Sequence, residues 1–353
     1  MLEFFKSHKP EISAFLEEYF NSRKKDLVKI NEWGEDVLKK LFDFASSGKM
    51  IRGGLVLLSH KIFNGKQEDS ALRSAAAMEL FQTGFLIHDD IMDRDLFRRG
   101  RESLFYQYKR HGDREGFHDS YHYGESMGIC AGDIAFFLSF ELLSELACPS
   151  YAKESIIKLF SSEFSSVGLA QMQDVSFGHL DESPGEEAIL NLYRYKTGRY
   201  TFSLPLTIGA ILAERDAREL PLLGELGEDL GLIFQIKDDE IGLFGSVEKT
   251  GKPVGSDLKE NKKNLYHYYL LRNTGPGERE KLLRIFGSGQ ISGDDINFIR
   301  EQVTGKGIVK LINEKVLTLR DKAGDLIGGI KNADPSGIAV LRELLDYSVE
   351  RTS

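Results

Sequence analysis

The chain contains few cysteines, which can cross-link a fold, and few prolines, which interrupt helices and strands. Its 353 residues include two cysteines, Cys130 and Cys148, too few for a disulfide framework and without the paired spacing of a CxxC metal site. A reducing, cytoplasmic setting is therefore expected. Eight prolines occur, and none lies between Pro10 and Pro149. A sheet protein of this size would show more turn punctuation, so a β-rich fold is disfavoured.

Long hydrophobic runs and positive charge are also scarce. The longest apolar stretches, such as residues 208–213, are far too short to span a bilayer, so no membrane span is expected. The N-terminus lacks the basic-then-apolar plan of a signal peptide. The formal net charge is -9, which makes nucleic acid an improbable partner. An acidic protein can still bind anions if metal ions mediate the contact.

Helical periodicity is what the chain does contain. Hydrophobic residues make up 41% of the sequence, enough for a sizeable core. Within residues 12–20, apolar side chains recur on one helical face, namely Phe15, Leu16, Tyr19 and Phe20. This pattern predicts an all-α protein of long helices, forming one domain over residues 1–353.

One acidic stretch ends a long apolar run at residues 86–93. Asp89 and Asp93 are four residues apart and share a helical face, whereas Asp90 is turned aside. Carboxylates stacked in this way repel each other unless a cation bridges them, and Mg²⁺ is usually held by one or two carboxylates together with substrate phosphates. Four arginines follow, at Arg94, Arg98, Arg99 and Arg101. The order suits a metal-bridged phosphate ester; the alternative is a solvated, charged helix end.

The same local plan recurs 149 residues later, where Asp238 and Asp239 follow an apolar helix and a basic residue. Two such helices are expected to face each other across one cavity. The glycine-rich basic loop after the second helix, residues 250–263, contains Lys252. It is not a nucleotide P-loop, because Pro253 stands where that motif needs a Ser or Thr to bind magnesium.

Other polar residues suit an anion site. Lys49 and Arg52 lie three residues apart near a helix start, where both can reach one anion, although they can equally be surface cations. Gln82 lies two turns before Asp89 on the same face. Gly198 is expected to kink its helix and expose the carbonyl near Thr197, or simply to end the helix.

Glycines and charged residues interrupt the helical pattern at residues 107–124, which we interpret as a mobile loop and a candidate lid. The loop also holds His111, His118 and His122. Their spacing leaves a zinc site as a weaker alternative, since no fourth ligand is evident.

Taken together, these motifs resemble those of the trans-isoprenyl diphosphate synthases of the farnesyl/geranylgeranyl diphosphate synthase family. The resemblance covers residues 48–263. The first aspartate-rich motif is matched by residues 89–93 followed by Arg98-Arg99-Gly100, and the second by residues 234–239. Gly242 departs from the pattern, because many members have Asp at this fifth position of the second motif.

The resemblance implies a bundle of the isoprenoid-synthase type, which acts as a homodimer. Three Mg²⁺ ions, for which Mn²⁺ can substitute, are expected on Asp89, Asp93 and Asp238, with Asp90 and Asp239 in support. The residues expected to bind isopentenyl diphosphate are Lys49, Arg52, Gln82 and Arg99. Those expected to hold the allylic diphosphate are Arg98, Lys196, Thr197 and Lys252. Oxygens near Lys196-Thr197 and on Gln235 are expected to stabilise a carbocation, and Gln171 and Asp174 fit a Gln-x-x-Asp element.

Two aromatic residues bear on product length. Phe85 and Phe81 lie about one and two turns before Asp89, so Phe85 is expected to form a floor beneath the site, with space beside it at Gly84. This arrangement predicts a short product, geranylgeranyl diphosphate ahead of farnesyl diphosphate; the alternative is that Phe85 is ordinary core. Two other functions remain open, a class I terpene cyclase and a non-catalytic partner subunit of a prenyl synthase.

Overall fold

The computed structural model describes residues 2–245, 255–288 and 291–351, and almost all of the regular structure in these ranges is helical. The prediction of an all-α fold is confirmed. A π-helix (Arg194–Ser203) and two short strands, β1 (Phe97–Arg98) and β2 (Arg101–Glu102), complete the regular structure. The helices are α1 (Leu2–Leu27), α2 (Trp33–Ser46), α3 (Ile51–Ile62), α4 (Glu68–Met92), α5 (Leu104–Arg114), α6 (Ser120–Ser144), α7 (Ser150–Gly178), α8 (Glu186–Tyr193), α9 (Leu204–Leu212), α10 (Leu220–Phe244), α11 (Ser256–Lys259), α12 (Leu265–Arg272), α13 (Pro276–Ile285), α14 (Gly293–Gly305), α15 (Ile308–Gly329) and α16 (Pro335–Glu350).

Side chains at several helix starts explain where the helices begin. The Asp119 carboxylate accepts the N–H of His122 at the start of α6. The side chain of Asn264 accepts the N–H of His267 at the start of α12. Such caps satisfy backbone donors that have no partner within the first helical turn.

The chain divides into two compact units, which are described separately. The first comprises Met1–Lys158, Pro205–Ala217 and Ala333–Gly337, and the second Leu159–Leu204, Arg218–Asn332 and Ile338–Ser353. In the first unit α4 packs against α3 and α6; in the second α10 packs against the π-helix and α15. The single domain and the facing of α4 and α10 across one cavity stay predictions.

Helix α4 is largely buried in the first unit. Glycines on α6 let it approach closely: a Cβ on Gly132 would lie 2.3 Å from Nε2 of His88, and one on Gly128 would lie 2.8 Å from the end of Ile91. Of the described helices, α6 alone is long and apolar enough to cross a membrane by length and composition, and half of its most apolar window is buried inside the protein. That finding is weak evidence for a span, because a core helix has the same composition.

One local prediction is wrong. Residues 107–124 are not one long loop: α5 ends at Arg114 and α6 begins at Ser120, so five residues connect two helices. Aromatic packing explains the difference, since the ring of His111 packs edge to face against Trp33 and Phe117. Gly198 does not end its helix, which excludes the alternative of a helix boundary. It lies within the π-helix, a widened geometry that is frequent at functional sites, and the expected kink stays a prediction.

Candidate active site

A β-hairpin points two consecutive arginines to different parts of the first unit. Its two-residue loop is Arg99-Gly100, with φ of +54° and +72°, the backbone of a tight hairpin turn. Arg98 lies on strand β1 and Arg99 lies in the turn with a left-handed backbone, so their side chains leave the hairpin in different directions. Arg98 therefore reaches the aspartates at the end of α4, whereas Arg99 reaches the segment before α3.

Arg98 forms ion pairs with the aspartate pair of α4. Its Nη2 lies 3.1 Å from Oδ2 of Asp89, and its Nε donates to Oδ1 of Asp90. The Asp90 side chain is fully buried and that of Arg98 is 14% exposed. Burial raises the pKa of Asp90 to about 7, although the Arg98 guanidinium opposes the shift. Asp90 thus anchors the arginine from within the core.

Asp93 ends α4 one turn after Asp89, with its N–H donating to the Asp89 carbonyl at 2.8 Å. Arg94 then has a φ of +56°, which turns the chain sharply and brings Asp95 back. One carboxylate oxygen of Asp93 and one of Asp95 lie within 4.8 Å of each other. Asp95 was missed from the sequence because it lies outside the helical register. This set of hard oxygen donors fits Mg²⁺ or Mn²⁺.

The Arg99 side chain faces the segment that contains Lys49. Its Nη1 donates to Oγ of Ser47 at 3.2 Å, and its guanidinium lies 5.8 Å above the ring of Phe44. A Cβ on Gly48 would lie 2.8 Å from the same Nη1, so a glycine leaves room for the guanidinium. Arg99 and the Gly48-Lys49 backbone therefore lie side by side.

A buried carboxylate, Glu79 on α4, supports this basic region. It is 5% exposed and accepts the N–H of Gly53 at 2.8 Å. Burial raises the pKa of Glu79, whereas the hydrogen bond from Gly53 and the charges of Arg52 and Arg99 oppose the increase. Gln82, one turn further along α4, is 7% exposed. The sequence did not indicate Glu79, because a single glutamate in a helical segment is common. Its role depends on the packing of α3 against α4.

Three aromatic rings cluster beneath the aspartates. The ring centroids of Phe81 and Phe85 are 4.8 Å apart, and that of Phe136 lies 5.2 Å from Phe85 and 5.8 Å from Phe81. The space expected beside Phe85 is not open, because a Cβ on Gly84 would lie 2.4 Å from the Phe136 ring. Gly84 instead admits the ring of Phe136 as a third member of the cluster.

In the second unit, the π-helix and α10 bring Thr197 and Gln235 together. The Thr197 hydroxyl donates to Oε1 of Gln235 at 2.8 Å. The Gln235 amide in turn donates to Oδ1 of Asp239 at 3.0 Å, and the Tyr193 hydroxyl donates to Oδ2 of the same carboxylate. The sequence indicated Thr197 and Gln235, whereas Tyr193 gave no signal.

Two lysines share the carboxylate of Asp174. Nζ of Lys196 lies 2.5 Å, and Nζ of Lys262 3.2 Å, from its Oδ2. Burial alone would raise the pKa of Asp174, but the two ammonium groups hold it below its usual value. Lys262 was not singled out from the sequence, because it lies in a basic run without helical register.

At the C-terminal end of the described chain, Arg351 reaches Asp238. Its Nη2 donates to Oδ1 at 2.9 Å, and the guanidinium lies 4.0 Å above the ring of Phe234. The Arg351 side chain is 8% exposed and that of Asp238 54% exposed. Lys252, predicted to hold the allylic diphosphate, lies outside the described residues.

Known proteins resemble this chain in sequence and in fold. The family model described as polyprenyl synthetase matches residues 31–303. The chain is 33% identical over 251 residues to the short chain isoprenyl diphosphate synthase of Methanocaldococcus jannaschii, covering 71% of each protein. It is 28% identical over 310 residues to the geranylfarnesyl diphosphate synthase of Aeropyrum pernix, covering 87% of this chain and 91% of the relative.

A solved structure with a TM-score of 0.91 is that of the geranylgeranyl pyrophosphate synthase from Corynebacterium glutamicum, complexed with isoprenyl diphosphate and magnesium. The two proteins are 26% identical, and the match covers 98% of this chain and 99% of the other. The predicted isoprenoid-synthase type of all-α fold is thereby confirmed.

Proposed function

The chain belongs to the polyprenyl synthetase family, and on that premise we propose that it is a short-chain prenyltransferase. It condenses isopentenyl diphosphate with an allylic diphosphate (dimethylallyl, geranyl or farnesyl) and releases pyrophosphate. The curated relatives named above, which are isoprenyl diphosphate synthases, support this class of reaction.

The observation that carries the proposal is the divergence of Arg98 and Arg99 from one hairpin. Arg98 lies against the carboxylates of Asp89 and Asp90, and Arg99 lies against Ser47 beside the Lys49 segment. Arginine is well suited to bind phosphate oxygens in pairs. The hairpin therefore supplies one cation to each of two neighbouring diphosphate sites, as a two-substrate condensation needs.

The carboxylates proposed to hold Mg²⁺, three ions in all with Mn²⁺ as a substitute, are Asp89, Asp93 and Asp238. Bound there, the ions supply Lewis-acid neutralisation of the leaving diphosphate. The exposed Asp238 carboxylate and the paired oxygens of Asp93 and Asp95 are the donors that support this assignment. Asp90 and Asp239 support the ligands from buried positions.

For the isopentenyl diphosphate, we propose the cations Lys49, Arg52 and Arg99 with Gln82. For the allylic diphosphate we propose Arg98, Lys196 and Lys252, and we add Lys262, which shares Asp174 with Lys196. These charges stabilise the pyrophosphate as the bond from its oxygen to the allylic carbon breaks.

The cation left by that departure is stabilised by oxygen lone pairs and shielded from water. Thr197 directs Oε1 of Gln235, and the backbone near Lys196 adds a carbonyl. The isopentenyl double bond attacks the allylic carbon, a new carbon–carbon bond forms, and the proton lost from the product passes to the departing pyrophosphate. The buried Phe81 and Phe136 rings help to exclude water from the region below Asp89.

We propose a short product, geranylgeranyl diphosphate ahead of farnesyl diphosphate. The aromatic cluster of Phe81, Phe85 and Phe136 supports a floor one to two turns below Asp89. A growing tail that meets these rings can extend no further.

We also propose that the protein is a cytoplasmic homodimer. Helix α6 exposes Ile129 at 46% and Phe137 at 75%, with Asp133 between them on the same face. Large exposed apolar side chains along one helix are typical of an interface. A second copy of this chain, packed with α6 on α6, is the occupant that the homodimer requires.

One incubation tests the function. Purified protein is mixed with Mg²⁺, radiolabelled isopentenyl diphosphate and each allylic primer in turn. Label in a longer prenyl diphosphate supports the synthase. Cyclic hydrocarbon formed from the primer alone supports a terpene cyclase, and the absence of any product supports a partner subunit. Asp89→Ala is expected to abolish condensation while the circular dichroism spectrum is unchanged. Turnover retained by this variant refutes the assignment of Asp89.

A further inference from the structure

A chain of hydrogen bonds orients the side-chain amide of Gln235. It begins at the backbone N–H of Leu265, which donates to the Tyr193 hydroxyl at 3.1 Å. Tyr193 donates to Oδ2 of Asp239, whose Oδ1 accepts from Nε2 of Gln235 at 3.0 Å. Oε1 of Gln235 then accepts from Thr197 at 2.8 Å. Four side chains and one backbone group are thus linked in series.

The backbone N–H of Leu265 gives this chain its direction. A backbone N–H can only donate, so the Tyr193 oxygen accepts from it and the single hydroxyl hydrogen is turned toward Asp239. Asp239 therefore accepts at Oδ2 and, as a carboxylate, at Oδ1 as well. The Gln235 amide must then place its NH₂ toward Asp239 and its oxygen on the opposite side.

Because the groups in this chain are buried, turning the Gln235 amide over would cost free energy. Tyr193 is 5% exposed and Asp239 is 7% exposed, so water offers little replacement for a lost partner. A flipped Gln235 would set its carbonyl oxygen against the Asp239 carboxylate and its NH₂ against Thr197. Because a carbonyl oxygen has two lone pairs, Oε1 can accept from Thr197 and still face positive charge.

We propose that Tyr193 is a positioning residue that, through Asp239, holds the Gln235 oxygen toward the reacting carbon. This inference rests on the proposed function, in which that oxygen stabilises the allylic cation. Tyr193 does not touch substrate; it acts through two intervening side chains. Its hydroxyl matters for the rate of the chemical step rather than for substrate affinity.

The test is a double-mutant cycle between Tyr193→Phe and Gln235→Leu, read as kcat and KM for both substrates. Tyr193→Phe is expected to lower kcat about tenfold, the loss of one oriented hydrogen bond worth about 1.4 kcal/mol, and to change each KM less than twofold. In the Gln235→Leu background the same substitution is expected to change kcat less than twofold, because no amide is left to position.

A matched control is Tyr195→Phe, because Tyr195 lies in the π-helix with its ring against Arg199 and outside this chain of hydrogen bonds. Its kcat is expected to equal that of the wild type. Thermal melting of every variant shows whether a lost rate reflects a lost fold.

Equal losses of kcat from Tyr193→Phe in both backgrounds would overturn the inference, as would a wild-type kcat. An unchanged kcat in Gln235→Leu alone would refute the proposed role of Gln235, and with it any positioning of that residue. A wild-type protein that forms no prenyl diphosphate would refute the proposed function itself, so the failures are distinguishable.

Discussion

Gly198 of the π-helix and Gly231 of α10 meet backbone against backbone. A Cβ on Gly231 would lie 2.0 Å from the Cα of Gly198. The two helices can approach this closely because Gly231 has no side chain, whereas a Cβ on Gly198 would lie 3.5 Å from its nearest neighbours, at ordinary contact distance. The contact sets the distance between Thr197 and Gln235, which lie one residue and four residues away along the same two helices.

Gly231→Ala is expected to destabilise the protein by about 1–3 kcal/mol, because the added methyl group forces the two backbones apart. Gly224→Ala is the control on the same helix, since a Cβ there meets nothing within 4 Å. Urea unfolding of both variants measures the difference. A loss of equal size in the two variants would contradict the tight contact with Gly198.

Phe85→Ala is expected to lengthen the prenyl product, because it removes a ring from the proposed floor. Phe136→Ala is expected to do the same, since its ring lies 5.2 Å from that of Phe85. Phe137→Ala is the control, because Phe137 follows Phe136 in the sequence but its side chain is 75% exposed. Chromatography of the dephosphorylated products gives the chain lengths. An unchanged length in both Phe85→Ala and Phe136→Ala would show that these rings belong to the hydrophobic core and do not limit product length.

Lys262→Ala is expected to raise KM for the allylic diphosphate about tenfold and to leave KM for isopentenyl diphosphate unchanged. A hydrogen bond from a charged group contributes about 1.5–3 kcal/mol, so the loss of one phosphate contact accounts for this factor. Lys259→Ala, at an exposed position on α11, is the control. Steady-state kinetics with each substrate varied in turn measures both KM values. An equal rise in the two would contradict the assignment of Lys262 to the allylic diphosphate.

The stability of the second unit is expected to fall in mild acid because of His267. The residue is 3% exposed, and burial, helped by Lys263 and Arg279, lowers its pKa from 6.5 to about 3. Below pH 6.5 the unfolded chain binds a proton that the folded protein excludes, so stability is lost as the pH falls toward 3. Each pKa unit is worth about 1.4 kcal/mol.

Scanning calorimetry at pH 7 and pH 5 tests this dependence. His267→Gln is expected to lose less melting temperature between the two pH values than the wild type does. His118→Gln, at an exposed position between α5 and α6, is expected to behave as the wild type. An acid-induced decrease of the same size in the His267 variant would show that other groups account for it.

Phe137→Asp is expected to convert the proposed homodimer to a monomer, because it replaces a large apolar side chain of the proposed interface with an unpaired charge. Ile30→Asp is the matched control, since Ile30 is 74% exposed and Phe137 is 75% exposed, but Ile30 does not lie on α6. Light scattering after size exclusion gives the mass. A dimer that survives Phe137→Asp would exclude this face of α6.

Local spacing was sufficient to predict the all-α fold and to indicate many residues of the candidate site. Helical periodicity follows from which residues are apolar, and the separation of Asp89 and Asp93 by one turn follows from the helix itself. The Lys49 and Arg52 spacing and the second aspartate pair needed no tertiary information either. Such features depend on residues within one or two turns.

The long-range partners were decided by tertiary structure alone. Glu79 reaches the Gly53 N–H, 26 positions away, and Arg351 reaches Asp238, 113 positions away, because of how their helices pack. The ring of Phe136 enters the space at Gly84 for the same reason. By itself the sequence determined which faces of the helices are apolar and which are charged. Tertiary packing decided which of those faces meet, because close approach depends on side-chain volume at positions far apart in the chain.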